Sequence, residues 1–275
     1  MPEKRFERKT IIQIIGAVCL GLLVICTSVG TTSASSDKAK IKCDENMLKV
    51  GVSTNAPPIV YKQGEEITGL EPELAQEFGK FLGKSVQFVE LEWKDQIPAL
   101  LENRIDIIMS GMSVTKMREI RIAFSEPYFR TGQMALTAKA VNRNIPKNFY
   151  AMQGMSIILR FGVVSGTTGE AFVRKNFGSA KEIIAYKTSK IAVEKMLDGK
   201  IDLLIHDAPI ILMLAAENEA KGLTPLPILL TEEYLAWGIR KNDVELLESA
   251  NRFIAEMKKD KKLDNIIRRW IPFSE

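Results

Sequence analysis

The residues best placed to do chemistry fall in three short segments. Ser110-Gly111-Met112-Ser113-Val114-Thr115-Lys116-Met117-Arg118 follows the apolar run 105–109, Gly166-Thr167-Thr168-Gly169 follows 161–165, and His206-Asp207-Ala208-Pro209 follows 201–205. The Arg118 guanidinium can grip a carboxylate through two parallel hydrogen bonds. Backbone N–H groups near Ser113 and Thr168 can add donors where helices start and anions are favoured. Asp207 offers a carboxylate to an ammonium group, and Trp93 offers an apolar face. Burying one charge alone is costly, so a site enclosing this set must pair both poles of its guest, which suits a zwitterion. Gly111, Thr167 and His206 complete the candidate ligand contacts.

Each of these residues also has a plainer reading. Arg118 could be solvated on a helix that also carries Lys116, Glu119 and Arg121. Asp207 could cap the helix that starts near Ala208, with Pro209 in its first turn. Trp93 could be core, His206 a satisfied structural histidine, and Ser113 and Thr115 caps. With a single histidine and no HExxH or GxSxG pattern, the chain lacks a conventional hydrolytic or metal-binding set, so no metal or cofactor is expected. No basic stripe with interleaved aromatics suggests a nucleic-acid partner.

These segments need elements to position them. Residues 48–53 read as a strand, and Leu70, Leu74, Phe78, Phe81 and Leu82 repeat at helical spacing. A second strand over 86–91 and a helix over 93–102 lead to the run 105–109, which suits a strand buried on both faces of a parallel sheet. The same order returns downstream: a strand at 161–165, a helix over 168–177, a strand at 182–186, a helix carrying Ala192, Val193, Met196 and Leu197, and a strand at 201–205. Such alternation implies α/β architecture built from βαβ units. Residues 101–109 also match 197–205 position by position, each with Asn or Gly ending a helix, then a basic residue, then Ile-Asp opening a strand. This echo predicts two similar lobes, with a cleft beyond the carboxyl ends of their strands. The expected division is 47–139 plus 230–275 for the first lobe and 140–229 for the second. The tail, 243–270, is helical with apolar stripes that read as core packing.

The 275 residues and formal charge of +4 fit a folded chain with two modest cores. Basic residues precede the apolar run 11–26, and small polar residues follow it. That is the pattern of a secretory signal peptide over 1–34, or of an uncleaved N-terminal anchor, with a lysine-rich linker over 35–46. Cleavage after Ala34 would leave Cys43 as the mature chain's lone cysteine, so no internal disulfide is expected. An extracytoplasmic location follows.

In order and spacing, VGVSTNAPPIVY, GLEPELAQEFGKFLGK, WKDQIPALLENRIDIIMSGMSVTKMREIRIAFSEPYF, GVVSGTTGEAFV, GKIDLLIHDAPIIL and LDNIIRRWIP resemble the family 3 extracellular solute-binding proteins, the polar amino-acid receptors of ABC importers. The resemblance covers about residues 48–272. It implies a two-lobed Venus-flytrap fold of the periplasmic-binding-protein type, with the chain crossing between lobes near 137–141 and 228–234. It also implies that Arg118, helped by Ser113 and Thr168, binds a ligand α-carboxylate, that Gly111 and Asp207 bind its α-ammonium, and that Trp93 stacks on its side chain. The His206-Asp207 pair is similar to that of glutamine-binding members. The sequence departs from the pattern at Ala56, where a second aromatic usually stands, and at Val164, where glutamine-binding members carry Lys. The implied partner is an inner-membrane permease, which a monomer would meet in its closed form. Two other roles on the same fold stay open. One is a dehydratase of cyclic amino-acid precursors, with Glu170 or Glu126 as the acid, and the other is an extracytoplasmic sensor module.

Overall fold

A computed structural model describes residues 46–139, 145 and 148–272. The expected leader, nearly all of the linker, Cys43 and residues 140–141 of the first expected crossing lie outside these residues. Among the described residues no helix is long and apolar enough to cross a membrane.

Two five-stranded sheets organise the molecule. The first runs Ser85–Glu90, Met47–Val52, Ile107–Ile108, Gly238–Ile239 and Ala123–Phe124 from edge to edge. Its first three strands are parallel, and Gly238–Ile239 joins antiparallel. The second runs Glu182–Tyr186, Arg160–Val164, Leu203–Asp207, Gln133–Ala138 and Leu223–Pro225, again with three parallel strands followed by antiparallel ones. Val50, Val52, Ile107, Phe161, Val163, Leu203 and Leu204 are buried, as central strands covered on both faces require.

The helix Leu70–Leu82 buries Leu70, Leu74 and Phe78 and ends at Gly83, whose positive φ of 67° turns the chain without a Cβ penalty. Its buried face meets the tail helices Val244–Lys259 and Lys262–Trp270, since Phe253, Ile254, Leu263, Ile266 and Ile267 belong to the same core cluster. The tail thus completes the first lobe. The expected helix over 93–102 divides into a 3₁₀ turn at Trp93–Asp95 and an α-helix at Gln96–Leu101, and the expected strand over 105–109 pairs only at Ile107–Ile108.

Sheet pairing also moves the expected lobe boundary. The strand Gln133–Ala138, assigned from sequence to the first lobe, pairs with Leu203–Asp207 in the second. Leu226 and Leu230 likewise donate backbone hydrogen bonds to Ala135 and Gln133. The crossings therefore lie at the two-stranded ribbon formed by Phe129–Thr131 and Glu233–Leu235. Residues 128–138 are extended on both sides of the crossing, with only Gly132 as punctuation. That glycine has a steric cause: a Cβ there would run into the Thr231 carbonyl of the opposite crossing strand.

Candidate functional site

Strand ends deliver the candidate residues to one place. Trp93 opens the 3₁₀ turn that follows Ser85–Glu90, and Gly111 and Ser113 follow Ile107–Ile108. Thr115 caps the single helical turn Lys116–Glu119 by accepting from the Arg118 amide at 3.3 Å, which fixes the base of the arginine. In the second lobe Thr167 caps the helix Thr168–Asn176, accepting from the Glu170 amide at 3.3 Å while its hydroxyl donates to the Val164 carbonyl at 2.7 Å. Its side chain is thus committed to the turn. Asp207 ends the strand Leu203–Asp207 at the cap position of Ala208–Glu217, yet its side chain makes no cap hydrogen bond. The plain reading of Asp207 as a helix cap therefore fails, and its carboxylate is not committed to the helix start.

A cavity of about 440 Å³ lies between the lobes. It is lined by all the candidates named from sequence: Trp93, Gly111, Ser113 and Arg118 from the first lobe, and Thr167, Thr168, His206 and Asp207 from the second. Ala56 and Val164 line it too, so both departures from the family pattern sit on its wall. The lobes meet around it. The Trp93 indole donates to the Gly166 carbonyl at 2.9 Å, Ser189 donates to the Asn55 carbonyl at 3.2 Å, and Lys187 pairs with Glu92 at 2.6 Å.

Arg118 crosses beneath Trp93, its guanidinium carbon 5.3 Å from the ring centroid, a cation–π arrangement. One nitrogen donates to the Ser113 carbonyl at 2.7 Å and another reaches the Gly166 carbonyl at 3.4 Å. Among the described residues no carboxylate forms an ion pair with it. Burial lowers its pKa from the usual arginine value, against the opposing pull of Asp207 and Glu233. Burial likewise raises the Asp207 carboxyl above its usual range. His206 is pushed down by burial, and its Nδ1 accepts the Asp207 amide at 2.7 Å, so it stands as a neutral imidazole and not as the cation of an ion pair.

Two polar residues of this region escaped the sequence reading. Gln133, wholly buried, donates from its amide toward Asp207, toward Thr168 Oγ1 at 3.1 Å and toward Glu233 at 3.0 Å. Glu233 lies on the second crossing strand and accepts from Ser113 at 2.7 Å, Thr168 at 2.8 Å and Thr231 at 2.9 Å. The Ser113 and Thr168 hydroxyls thus point to Glu233. Neither residue carries a local signal, because Gln133 sits in an apolar strand and Glu233 in a run of two acids.

The fold and the cleft define a two-lobed solute trap. A model of the bacterial extracellular solute-binding proteins, family 3, matches residues 48–273, and the chain belongs to that family. It is 28% identical over 257 residues to the probable histidine-binding protein of Campylobacter jejuni subsp. jejuni, covering 90% of this chain and 93% of that one. A putative binding component of an ABC transporter from Wolinella succinogenes, solved with lysine, superposes with a TM-score of 0.77 at 30% identity, covering 82% of this chain and 96% of that one. The ancestral amino acid-binding protein AncCDT-1, a precursor of cyclohexadienyl dehydratase, superposes with a TM-score of 0.73 at 31% identity, covering 82% and 95%.

Proposed function

We propose that the cleft closes on a free amino acid, and that the closed protein presents this cargo to the permease of an ABC importer outside the cytoplasm. The carrying observation is that Arg118 from one lobe and Asp207 from the other line a single cavity. The guanidinium takes the α-carboxylate, with the Thr168 amide as a further donor. Asp207 and the Gly111 carbonyl take the α-ammonium, and Trp93 covers the side chain. Ligand contacts to both lobes favour the closed form over the open one, which couples binding to docking. The relatives' ligands, histidine and lysine, support an amino acid as the cargo class. Family membership and the apolar run at 11–26 support export, and the protein acts as a monomer.

Arg118→Ala and Asp207→Ala are each expected to weaken binding by about 100-fold or more, since each strands a buried charge of the ligand. Calorimetry with L-histidine, L-lysine and the other common amino acids measures this. Wild-type affinity in either variant would defeat the assignment.

The dehydratase reading is disfavoured by where its candidate acids lie. Glu170 accepts the Gly166 amide at 2.7 Å and pairs with Arg174, while Glu126 is exposed on the first lobe, and neither lines the cavity. We therefore read the chain as non-enzymatic. Release of an aromatic product from prephenate or arogenate by the purified protein would reverse that reading.

A further inference from the structure

The first lobe holds a carboxylate that the binding scheme does not use. Glu71 is fully buried at the second position of the helix Leu70–Leu82. It accepts three hydrogen bonds: from the Gly111 amide at 2.9 Å, the Tyr128 hydroxyl at 2.6 Å and the Trp237 indole at 2.8 Å. Those donors come from three different places. Gly111 lines the cavity in a left-handed turn, with φ 69°. Tyr128 immediately precedes the crossing strand Phe129–Thr131, and Trp237 lies just beyond its partner Glu233–Leu235. The backbone of Glu71 adds a fourth tie, donating to the carbonyl of Ile59, another cavity residue.

We propose that Glu71 is a positioning residue whose buried carboxylate ties the ligand-facing turn at Gly111 to both strands that cross between the lobes. Through it, the angle of the crossing ribbon and the orientation of the Gly111 carbonyl are set together. The role rests on the reading of the cleft as an amino-acid site, and it extends that reading to a residue that touches no ligand.

The chemistry makes the tie sensitive to protonation. As an anion, Glu71 can accept all three bonds: Oε1 takes Gly111 and Tyr128, and Oε2 takes Trp237. A proton on Oε1 would displace one of the two donors already there, and a proton on Oε2 would make that oxygen a poorer acceptor from Trp237, so either way a charge-assisted contact weakens. Among the described residues no cation pairs with Glu71. On its own helix Glu73 is engaged with Arg269 and with the Trp270 indole, and in the Gly111 segment Arg118 is turned to the Ser113 carbonyl. From the crossing strands only the Tyr128 phenol faces it. Burial raises Glu71 to about 7, with the three hydrogen bonds opposing, so the switch falls near neutrality.

Hydrogen–deuterium exchange of the ligand-free protein tests the tie directly, comparing wild type with Glu71→Gln. That change keeps the shape but replaces an acceptor with a donor. The expected result is exchange about ten-fold faster or more both at the Gly111 segment and across the Phe129–Thr131 and Glu233–Leu235 ribbon, with a step near neutral pH in wild type that the variant lacks. Loosening confined to the first turn of the Leu70–Leu82 helix, or no change, overturns the proposal. Should Glu71→Gln fail to fold, Tyr128→Phe carries the same test: it removes one donor, so the pH of the step must rise, and an unmoved step overturns the proposal. In calorimetry with L-histidine and L-lysine, the variant should bind about ten-fold more weakly, with its pH dependence flattened. A wild type that takes up no amino acid counts against the proposed cargo, while the exchange experiment still decides the role of Glu71.

Discussion

In the first lobe the chain leaves the helix Gln96–Leu101, turns through Asn103 at φ 58° and passes through Ile105-Asp106 into the strand Ile107–Ile108. In the second it leaves the helix Ser189–Leu197, turns through Gly199 at φ 68° and passes through Ile201-Asp202 into Leu203–Asp207. Both corners are locked by the same backbone exchange. Asp106 accepts the Lys49 amide at 2.9 Å and donates to the Lys49 carbonyl at 2.8 Å, while Asp202 does both with Arg160 at 2.8 Å. The difference lies in the cation. Arg160 folds its own side chain back onto Asp202 through two bonds of 3.0 and 2.8 Å, and Asp202 is only 1% exposed. Asp106 instead looks to Arg240, 3.5 Å away and shared with Asp243 at 3.0 Å. Arg240 arrives only after the second crossing. The second lobe therefore secures its corner within itself, whereas the first depends on the returning tail.

The largest effect expected from this contrast is on the second lobe. Asp202→Ala removes a buried acceptor, strands the Arg160 backbone amide and takes the carboxylate from a partly exposed guanidinium, and should cost about 2–3 kcal/mol. Asp106→Ala removes a more exposed acceptor whose cation keeps Asp243, and should cost about 1–2 kcal/mol. Denaturant titration of each variant measures both, and equal losses would mean that the two corners are energetically the same.

A second contrast lies at the helix starts. The first lobe places the buried carboxyl of Glu71 at the second helical position, where the second lobe has Gly169. Raised from 4.5 to about 7, Glu71 binds its proton more tightly in the folded chain than in the unfolded one. Its contribution to stability is therefore full below pH 4.5 and is lost as pH rises through about 7. The shift corresponds to about 3 kcal/mol. Thermal unfolding followed from pH 4.5 to 8 should show this decline in wild type and not in Glu71→Gln. A wild-type profile matching that of the variant would remove Glu71 as its source.

The corners and strands were legible in the sequence because they depend on local grammar: an apolar run, a residue suited to positive φ, and Ile-Asp. Arg118, Asp207 and Trp93 could be placed toward a common cavity for a related reason, since α/β folds put their clefts just after strand ends and position alone points there. Glu71, Gln133 and Glu233 could not be found that way. Glu71 meets Trp237 across 166 positions and Gln133 meets Glu233 across 100, and only the closed topology brings them together. The lobe boundary was misplaced for the complementary reason. The extended chain passes from one sheet to the other with no change of composition to mark the crossing.

The finest distinction between the corners is how tightly each is packed. Gly51 and Gly162 occupy matching strand positions, and a Cβ on either would press into the terminal methyl of Ile105 or Ile201. Gly51→Ala and Gly162→Ala should each cost about 1–3 kcal/mol through overpacking. The lobes should differ in how well they can be repaired. At Gly162 the remaining neighbour is the Tyr186 ring edge at 3.3 Å, which can shift, so Ile201→Val should restore most of the loss. At Gly51 the new methyl would also meet the Gln96 side chain, 2.7 Å from it and buried at 0% exposure. Ile105→Val should therefore rescue Gly51→Ala only in part. Melting curves of the two double variants compare the corners directly, and complete rescue in the first lobe would show that Gln96 yields as readily as the tyrosine does.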